Sequence, residues 1–387
     1  MKSFGYAGKI LSVDLSSGKI SELPTSDYAD RFIGGRGIAN KLYWDQVPPD
    51  TGALDPDNAL TFATGPLAGI PVIGGSRWYV SAKSPSTSPE HMSYCNLGGD
   101  WGMRLKSAGY DAVFVQGRAD KPVYLLVEEQ SCQLKDASAL WGKGAIQARE
   151  LLKSELGDSI SVVAIGQAGE HKATMACLMA TDDAAGGGGM GAVMGSKNLK
   201  AIVVRGARKR AEAARPEKLE SLTKEFRRLL TPHPTLKIGN APLEVTGPGT
   251  AKAPCWLCIG DCIRRTYQAQ DGRKGKFMCQ PASFYHPWVE RHHGPGHEAS
   301  FHASKVCDDY GVDVTAIVLI IVWLMSCSRQ GILTDEIVGM PVSKVGSLEF
   351  IEELVRKISL REGFGDVLAG GVERAAEQVG PQAKSLL

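Results

Sequence analysis

The stretch CWLCIGDC sets Cys255, Cys258 and Cys262 at CxxCxxxC spacing. Thiolates are soft ligands: two cysteines three apart chelate one metal or adjacent irons of a cluster, and a third, four residues on, closes the loop around it. A four-iron cluster needs a fourth ligand. Cys279, Cys307 and Cys327 are candidates, and none stands at a deciding spacing. Zinc competes, because a Cys3His site could recruit His286 or a later histidine. Three unliganded thiols in one loop is the bland alternative, against which the density of cysteine argues.

A second constellation is DDAAGGGGMGAVMGSKNLKAIVV, with four consecutive glycines at 186–189 and two more at Gly191 and Gly195. Such a backbone can approach a ligand closely and turn its N–H groups toward an anion. Neither nucleotide fingerprint fits: no G-x-G-x-x-G register exists, and Gly195-Ser196-Lys197 reverses the P-loop order. A phosphate or pterin site and a plain turn both stay open. Arg77, at a strand start in GGSRWYVSAKSP, is a natural bidentate partner for phosphate or carboxylate. In YCNLGGDWG, Asn96, Gly98 and Gly99 read as a turn. Asp308 and Asp313 flank Gly311 in CDDYGVD, an acidic turn between helices whose plain reading is a helix cap.

These groups are held by two unlike halves. Up to about residue 210, GKILSVDLSSGKI, ALTFATGPLAG, SRWYVSAKSP, DAVFVQGRADKPVYLLVEE and AIVVRGARK read as strands and hairpins of period two, with a helix over 143–155. Beyond a charged linker or helix start at ARKRAEAARPEK, the stretches PEKLESLTKEFRRLL, VDVTAIVLIIVWLMSC, SLEFIEELVRKIS and GDVLAGGVERAAEQVG carry helical spacing. The expected class is α+β: a β-rich domain over 1–210 and a mostly helical one over 211–387. The 387 residues, 43% of them hydrophobic, suffice for two cores. Forty-four basic against forty-two acidic residues leave a charge of +2, which offers no footprint for nucleic acid or an anionic membrane. The start lacks a secretory h-region, and the apolar run 316–325 is too short to span a bilayer and reads as a buried helix. A soluble, cytoplasmic chain follows as the expectation, and its nine cysteines then point to metal ligation rather than disulfides.

In order along the chain, FIGGRGIANKL, ATGPLAG, GGSRWYVSAKSP, NLGGDWG, LKSAGYDAVFVQGRADKPVYL, AAGGGGMGAVMGSKNLKAIVV, CWLCIGDC, CDDYGVD and REGFGDVLAGG resemble the aldehyde:ferredoxin oxidoreductase family of tungsten enzymes. The resemblance implies a tungsten bis-pterin cofactor beside a 4Fe-4S cluster, lying on a two-sheet base domain under helical cover. It implies that Cys255, Cys258 and Cys262 are cluster ligands, that Arg77 stands between cluster and pterin, and that Asn96 and Gly98 lie under the pterin phosphates. Ala184 matches a backbone contact to a magnesium joining those phosphates, and Asp308, Gly311 and Asp313 match a D-x-x-G-L-D turn that hydrogen-bonds one pterin, with Val312 in place of leucine. Acceptor carboxylates suit the donor-rich edge of a pterin.

Departures accompany the likeness. The family's fourth cluster cysteine lies in a later D-x-x-G-L-C turn, so that ligand is expected beyond the end of this chain or lost. Asp183 and Gly187 stand where relatives have arginines, and an aspartate facing phosphates would repel them. The segment 208–255 is short, as if part of a helical domain were deleted. His302 and Lys305 occupy the positions of a dimer-bridging iron's ligands, and no such iron is expected; oligomeric state stays open. Cys279, in GKFMCQPASFY, replaces a glutamate near the tungsten of aldehyde-oxidising members, which resembles the tungsten subunit of ATP-independent benzoyl-CoA reductases, where a thiolate ligates the metal. An inert cysteine or substitute cluster ligand are the alternatives. His286, His292, His293, His297 and His302 could relay protons, though a solvated loop explains most of them. The implied activity is oxidation of an aldehyde to a carboxylic acid, with ferredoxin or an iron–sulfur partner subunit as acceptor. Reduction of an aromatic acyl-CoA, an iron–sulfur electron carrier and a non-catalytic truncated relative are the alternatives.

Overall fold

The computed structural model describes residues 4–129, 131–230, 245–260 and 262–387, with only the backbone of 237–238 and 241–242 between them. Two six-stranded sheets form the first half. One contains β1 (Lys9–Asp14), β2 (Lys19–Pro24), β3 (Leu60–Thr64), β4 (Trp78–Ser84), β5 (His91–Leu97) and β6 (Ala112–Gln116), in the order β2-β1-β6-β3-β4-β5. The other contains β7 (Val123–Glu128), β8 (Cys132–Asp136), β9 (Ser161–Ala164), β10 (Leu178–Ala180), β11 (Ala184–Gly186) and β12 (Leu199–Arg205), in the order β11-β10-β9-β12-β7-β8. Pairing is parallel between β1 and β6 and between β7 and β12, and antiparallel elsewhere in both sheets.

Leu11, Phe62, Trp78 and Val113 of the first sheet share one core with Leu125, Val163 and Ile202 of the second. Helix Arg36–Gln46 covers the outer face of the first sheet with Ile38 and Leu42, and helix Ala145–Leu156 covers that of the second with Leu152. Every residue of β3 and the first six of β12 are therefore buried on both faces, and the period-two expectation fails for the central strands. A ring such as Trp78, 1% exposed, is worth about 3–5 kcal/mol against alanine at such a position.

The second half is a helical lid whose core joins Phe301-bearing helix Glu298–Tyr310 with helices Val314–Arg329 and Leu348–Leu360 through Cys307, Ile317, Ile321, Leu354 and Ile358. Three expectations are corrected here. The run 316–325 lies in a helix buried along one face, while Leu319 and Val322 are 55% and 49% exposed on the other. GDVLAGGVERAAEQVG is two helices, Phe364–Ala369 and Val372–Val379, because Gly370 and Gly371 interrupt the ladder where helix propensity is lowest. The histidines sit on helices rather than in a loop: His286, His292 and His293 in His286–His293, His297 at the N-cap of the next helix, and His302 inside it. Much of the segment expected to be shortened, 231–244, lies outside the described residues; its described part includes helix Pro216–Leu229.

Candidate functional site

Register brings the first site residues together. Trp78 of β4 pairs with Leu97 of β5, so Arg77, just before β4, stands beside the turn that follows β5. Arg77 Nη2 donates to the Asn96 carbonyl at 3.2 Å, and Trp78 Nε1 donates to the Gly98 carbonyl at 3.1 Å, which pins the turn. Asn96 itself is a strand residue paired with Tyr79; the turn is Gly98 and Gly99, a correction to the reading of all three as a turn. The lid meets this edge through its acidic turn. Gly311 ends helix Glu298–Tyr310 at φ 75°, ψ 49°, a left-handed cap that suits a residue without a side chain. Its carbonyl accepts from Cys177 N–H at 2.7 Å, and Asp313 N–H donates to the Met175 carbonyl at 3.1 Å, so the turn lies on the base like a short extra strand.

Between base and lid is a cavity of about 360 Å³ walled by Arg77, Asn96, Gly98, Ala184, Cys279, Asp308 and Asp313. Gly311 is not in its wall, but Val312 and Asp313 are. Asp313 caps helix Val314–Arg329, its Oδ1 accepting from Thr315 N–H at 2.8 Å, so the plain helix-cap role and a place at the cavity coexist.

The cysteine loop presses on the other side of the Gly98 turn. Gly99 N–H donates to Cys255 Sγ at 3.3 Å and Gly74 N–H to Cys258 Sγ at 3.5 Å; Cys262 is exposed. A Cβ on Gly98 would stand 2.7 Å from Cys255 Sγ, 3.5 Å from Arg77 Nη1 and 3.9 Å from Arg264 Nη1, so a thiol and two guanidiniums converge where only glycine leaves room. Backbone N–H donors aimed at sulfur are the kind of outer contact that supports a metal-bound thiolate. The loop fits a thiolate-ligated cluster on these grounds. Of the fourth-ligand candidates within the chain, Cys307 and Cys327 are sealed in the lid core, while Cys279 is in the cavity wall and close enough to Cys262 for their charges to interact.

Cys279 has backbone angles φ 53°, ψ −138°, rarely adopted by a residue with a side chain and costing about 1–3 kcal/mol. Burial pushes its thiol up, and Lys276 and Arg77 oppose that. Asp183 departs from expectation. It does not line this cavity, and its charge is matched within the protein: its Oδ1 takes Arg149 Nη2 at 2.5 Å and its Oδ2 takes Lys305 Nζ at 2.8 Å. Burial opposes ionisation, yet Lys305 and Arg149 outweigh it and hold the carboxyl well below its usual range. Lys305 also reaches Asp308 Oδ2 at 2.6 Å, which leaves the other oxygen of Asp308 to the cavity. His302 points away from Lys305, toward Glu298 at 3.3 Å and Asp271 at 4.0 Å.

Two wall residues escaped the sequence reading: Arg264 lies two positions after Cys262 and Lys276 three before Cys279, and closeness to a motif was the available signal. Lys305, one turn before Asp308, was read only against an iron ligand's position, and its ion pairs with Asp183 and Asp308 were not foreseen. Burial pushes the Lys276 ammonium down to about 8, with Lys305 and Arg264 adding to the effect and Asp308 opposing it.

Comparison with known proteins now bears on the site. Residues 10–206 match the N-terminal domain of aldehyde ferredoxin oxidoreductase, and residues 223–387 match its domains 2 and 3. The chain is 34% identical to the tungsten-containing aldehyde ferredoxin oxidoreductase of Pyrococcus horikoshii, over 97% of this chain and 68% of that protein. It is 28% identical to the WOR-like subunit of the aliphatic sulfonate oxidoreductase of Pyrococcus furiosus, again over 97% and 68%. Among solved structures it superposes on a chain of the active-site complex BamBC of benzoyl coenzyme A reductase with 1,5-dienoyl-CoA, at a TM-score of 0.86 and 28% identity, covering 99% of this chain and 64% of that one. Among the described residues, no helix is long and apolar enough to cross a membrane.

Proposed function

The chain belongs to the aldehyde ferredoxin oxidoreductase family of oxidoreductases, and from that premise we propose that it is a tungsten–pterin, iron–sulfur oxidoreductase that converts an aldehyde to a carboxylic acid and passes electrons to ferredoxin or a partner subunit. One observation carries the reading: the cysteine loop and the cavity share a single wall, with Arg77 and the Gly98 turn between them. When bound, the metal–pterin centre supplies two-electron chemistry and the cluster supplies one-electron exchange with a protein acceptor. Cys255, Cys258 and Cys262 would hold the cluster, and the Gly74 and Gly99 N–H groups would stabilise its sulfur charge. Asp308 and Asp313 would accept hydrogen bonds from a pterin edge, while Asn96, Gly98 and Ala184 would lie under its phosphates and their magnesium. Arg77, anchored on the Asn96 carbonyl, would keep a fixed cation between the two groups.

A second reading has its own support. Cys279 sits strained in the cavity wall, and the superposed solved chain comes from a benzoyl-CoA reductase complex, so reduction of an aromatic acyl-CoA is the alternative reaction. Metal analysis of anaerobically purified protein tests the main reading: tungsten with about four iron is expected, iron alone would indicate an electron carrier, and neither would end the proposal. Cys258→Ser should lose iron and visible absorbance. Assays with aldehydes and with aromatic acyl-CoA then separate the two reactions.

A further inference from the structure

A second cavity, of about 370 Å³, lies behind the first, and Arg264 and Lys276 belong to the walls of both. The acids nearby are already committed. Asp183 is held by Arg149 and Lys305, Asp308 by Lys305, and one oxygen of Asp313 by Thr315 N–H. Among the described residues, Arg264 and Lys276 are not. Arg264 is 7% exposed; Nη2 donates to the Asp182 carbonyl at 3.0 Å, among the described residues its one carboxylate neighbour is the Asp182 side chain at 3.9 Å, and its Nε–H is buried with no acceptor among them. Among the described residues, Lys276 Nζ makes no ion pair within 4 Å; its backbone N–H donates to Asp183 at 3.2 Å, and Asp308 and Asp183 attract its charge from farther off. Two cations on one wall, with donors unspent, repel one another until an anion arrives.

We propose that Arg264 and Lys276 form a carboxylate-binding subsite between the two cavities, on the wall that also carries Cys279. A carboxylate has two oxygens and one charge, so it can take the guanidinium on one oxygen and the ammonium on the other. The choice of carboxylate over other oxyanions rests on the proposed aldehyde oxidation, whose product would leave this cavity as a carboxylate. The second cavity continues from the subsite past Lys153 and Lys274, both of which attract a departing anion.

Binding can be measured without turnover. Isothermal titration of the purified full chain with benzoate and, separately, with inorganic phosphate should show benzoate binding. Lys276→Met should weaken it tenfold or more, about 1.4 kcal/mol; Lys276→Arg should retain it, and Lys135→Met, exposed on β8 and outside both cavities, should leave it within twofold. Absence of benzoate binding, a preference for phosphate, or unchanged affinity in a folded Lys276→Met protein would overturn the subsite. Metal content measured on the same samples keeps this result separate from the tungsten reading, which a failed benzoate titration would not touch.

Discussion

Two sets of buried charge flank the same cavity and differ in one respect. Around Asp183 the ions satisfy one another: Arg149 from the base and Lys305 from the lid close on one carboxylate, and Lys305 takes Asp308 as well. Around Arg264 and Lys276 the ions are left over, with one long contact to Asp182 between them. Mutual neutralisation makes the first set a clamp between the two halves of the molecule. Surplus charge makes the second set a surface for something brought from outside. Burial alone therefore does not identify a functional ion; the state of its partners does.

Substitutions can break or sharpen this contrast. Lys305→Met should have the largest effect, because it leaves two buried carboxylates without their shared cation; a loss of about 3–5 kcal/mol is expected in urea or guanidinium unfolding. Asp183→Asn should cost about 2 kcal/mol at pH 7. Its pH dependence supplies a sign: the folded carboxyl is held below its unfolded value, so its contribution is complete above about pH 4 and fades as pH falls below that, and the gap between wild type and variant should close in acid. Gly98→Ala should cost about 1–2 kcal/mol, since its Cβ would stand 2.7 Å from Cys255 Sγ. Iron content should fall more than stability does, as read by iron analysis beside a melt. Lys276→Met should change stability least, within about 1 kcal/mol and in either direction, because the loss of its attraction to Asp308 and Asp183 is offset by relief of its burial and of its repulsion by Lys305 and Arg264. A large destabilisation there would merge the two sets and erase the contrast.

Much of the architecture was legible before any coordinates. The hairpin of β1 and β2 and the helices after residue 215 follow from periodicity and turn residues, and the strands around Phe62, Val80, Val113, Leu125 and Ile202 from short apolar runs bounded by turn residues, although the central ones lack the expected alternation. The three-residue strands β10 and β11 were not visible, being too short to show a period and named only by their pairing. Asn96 was misread because the glycines beside it dominate the local signal, while pairing with Tyr79 keeps it in the ladder. Asp183 was misjudged for a different reason: its meaning depends on Arg149 and Lys305, on other elements.

By itself, the sequence determined the chemical inventory: three closely spaced thiols, an arginine before a strand, an acidic turn broken by glycine, and the β-rich and helical halves that carry them. Short-range spacing suffices for these, since a chelating turn, a cap and a strand are local structures. Only the tertiary structure decided which charges meet. Lys305 and Asp183 are 122 residues apart yet share a hydrogen bond, whereas among the described residues Lys276 makes no ion pair within 4 Å. Coulomb energy depends on distance through a low-dielectric interior, and that distance exists only once the lid has closed on the base.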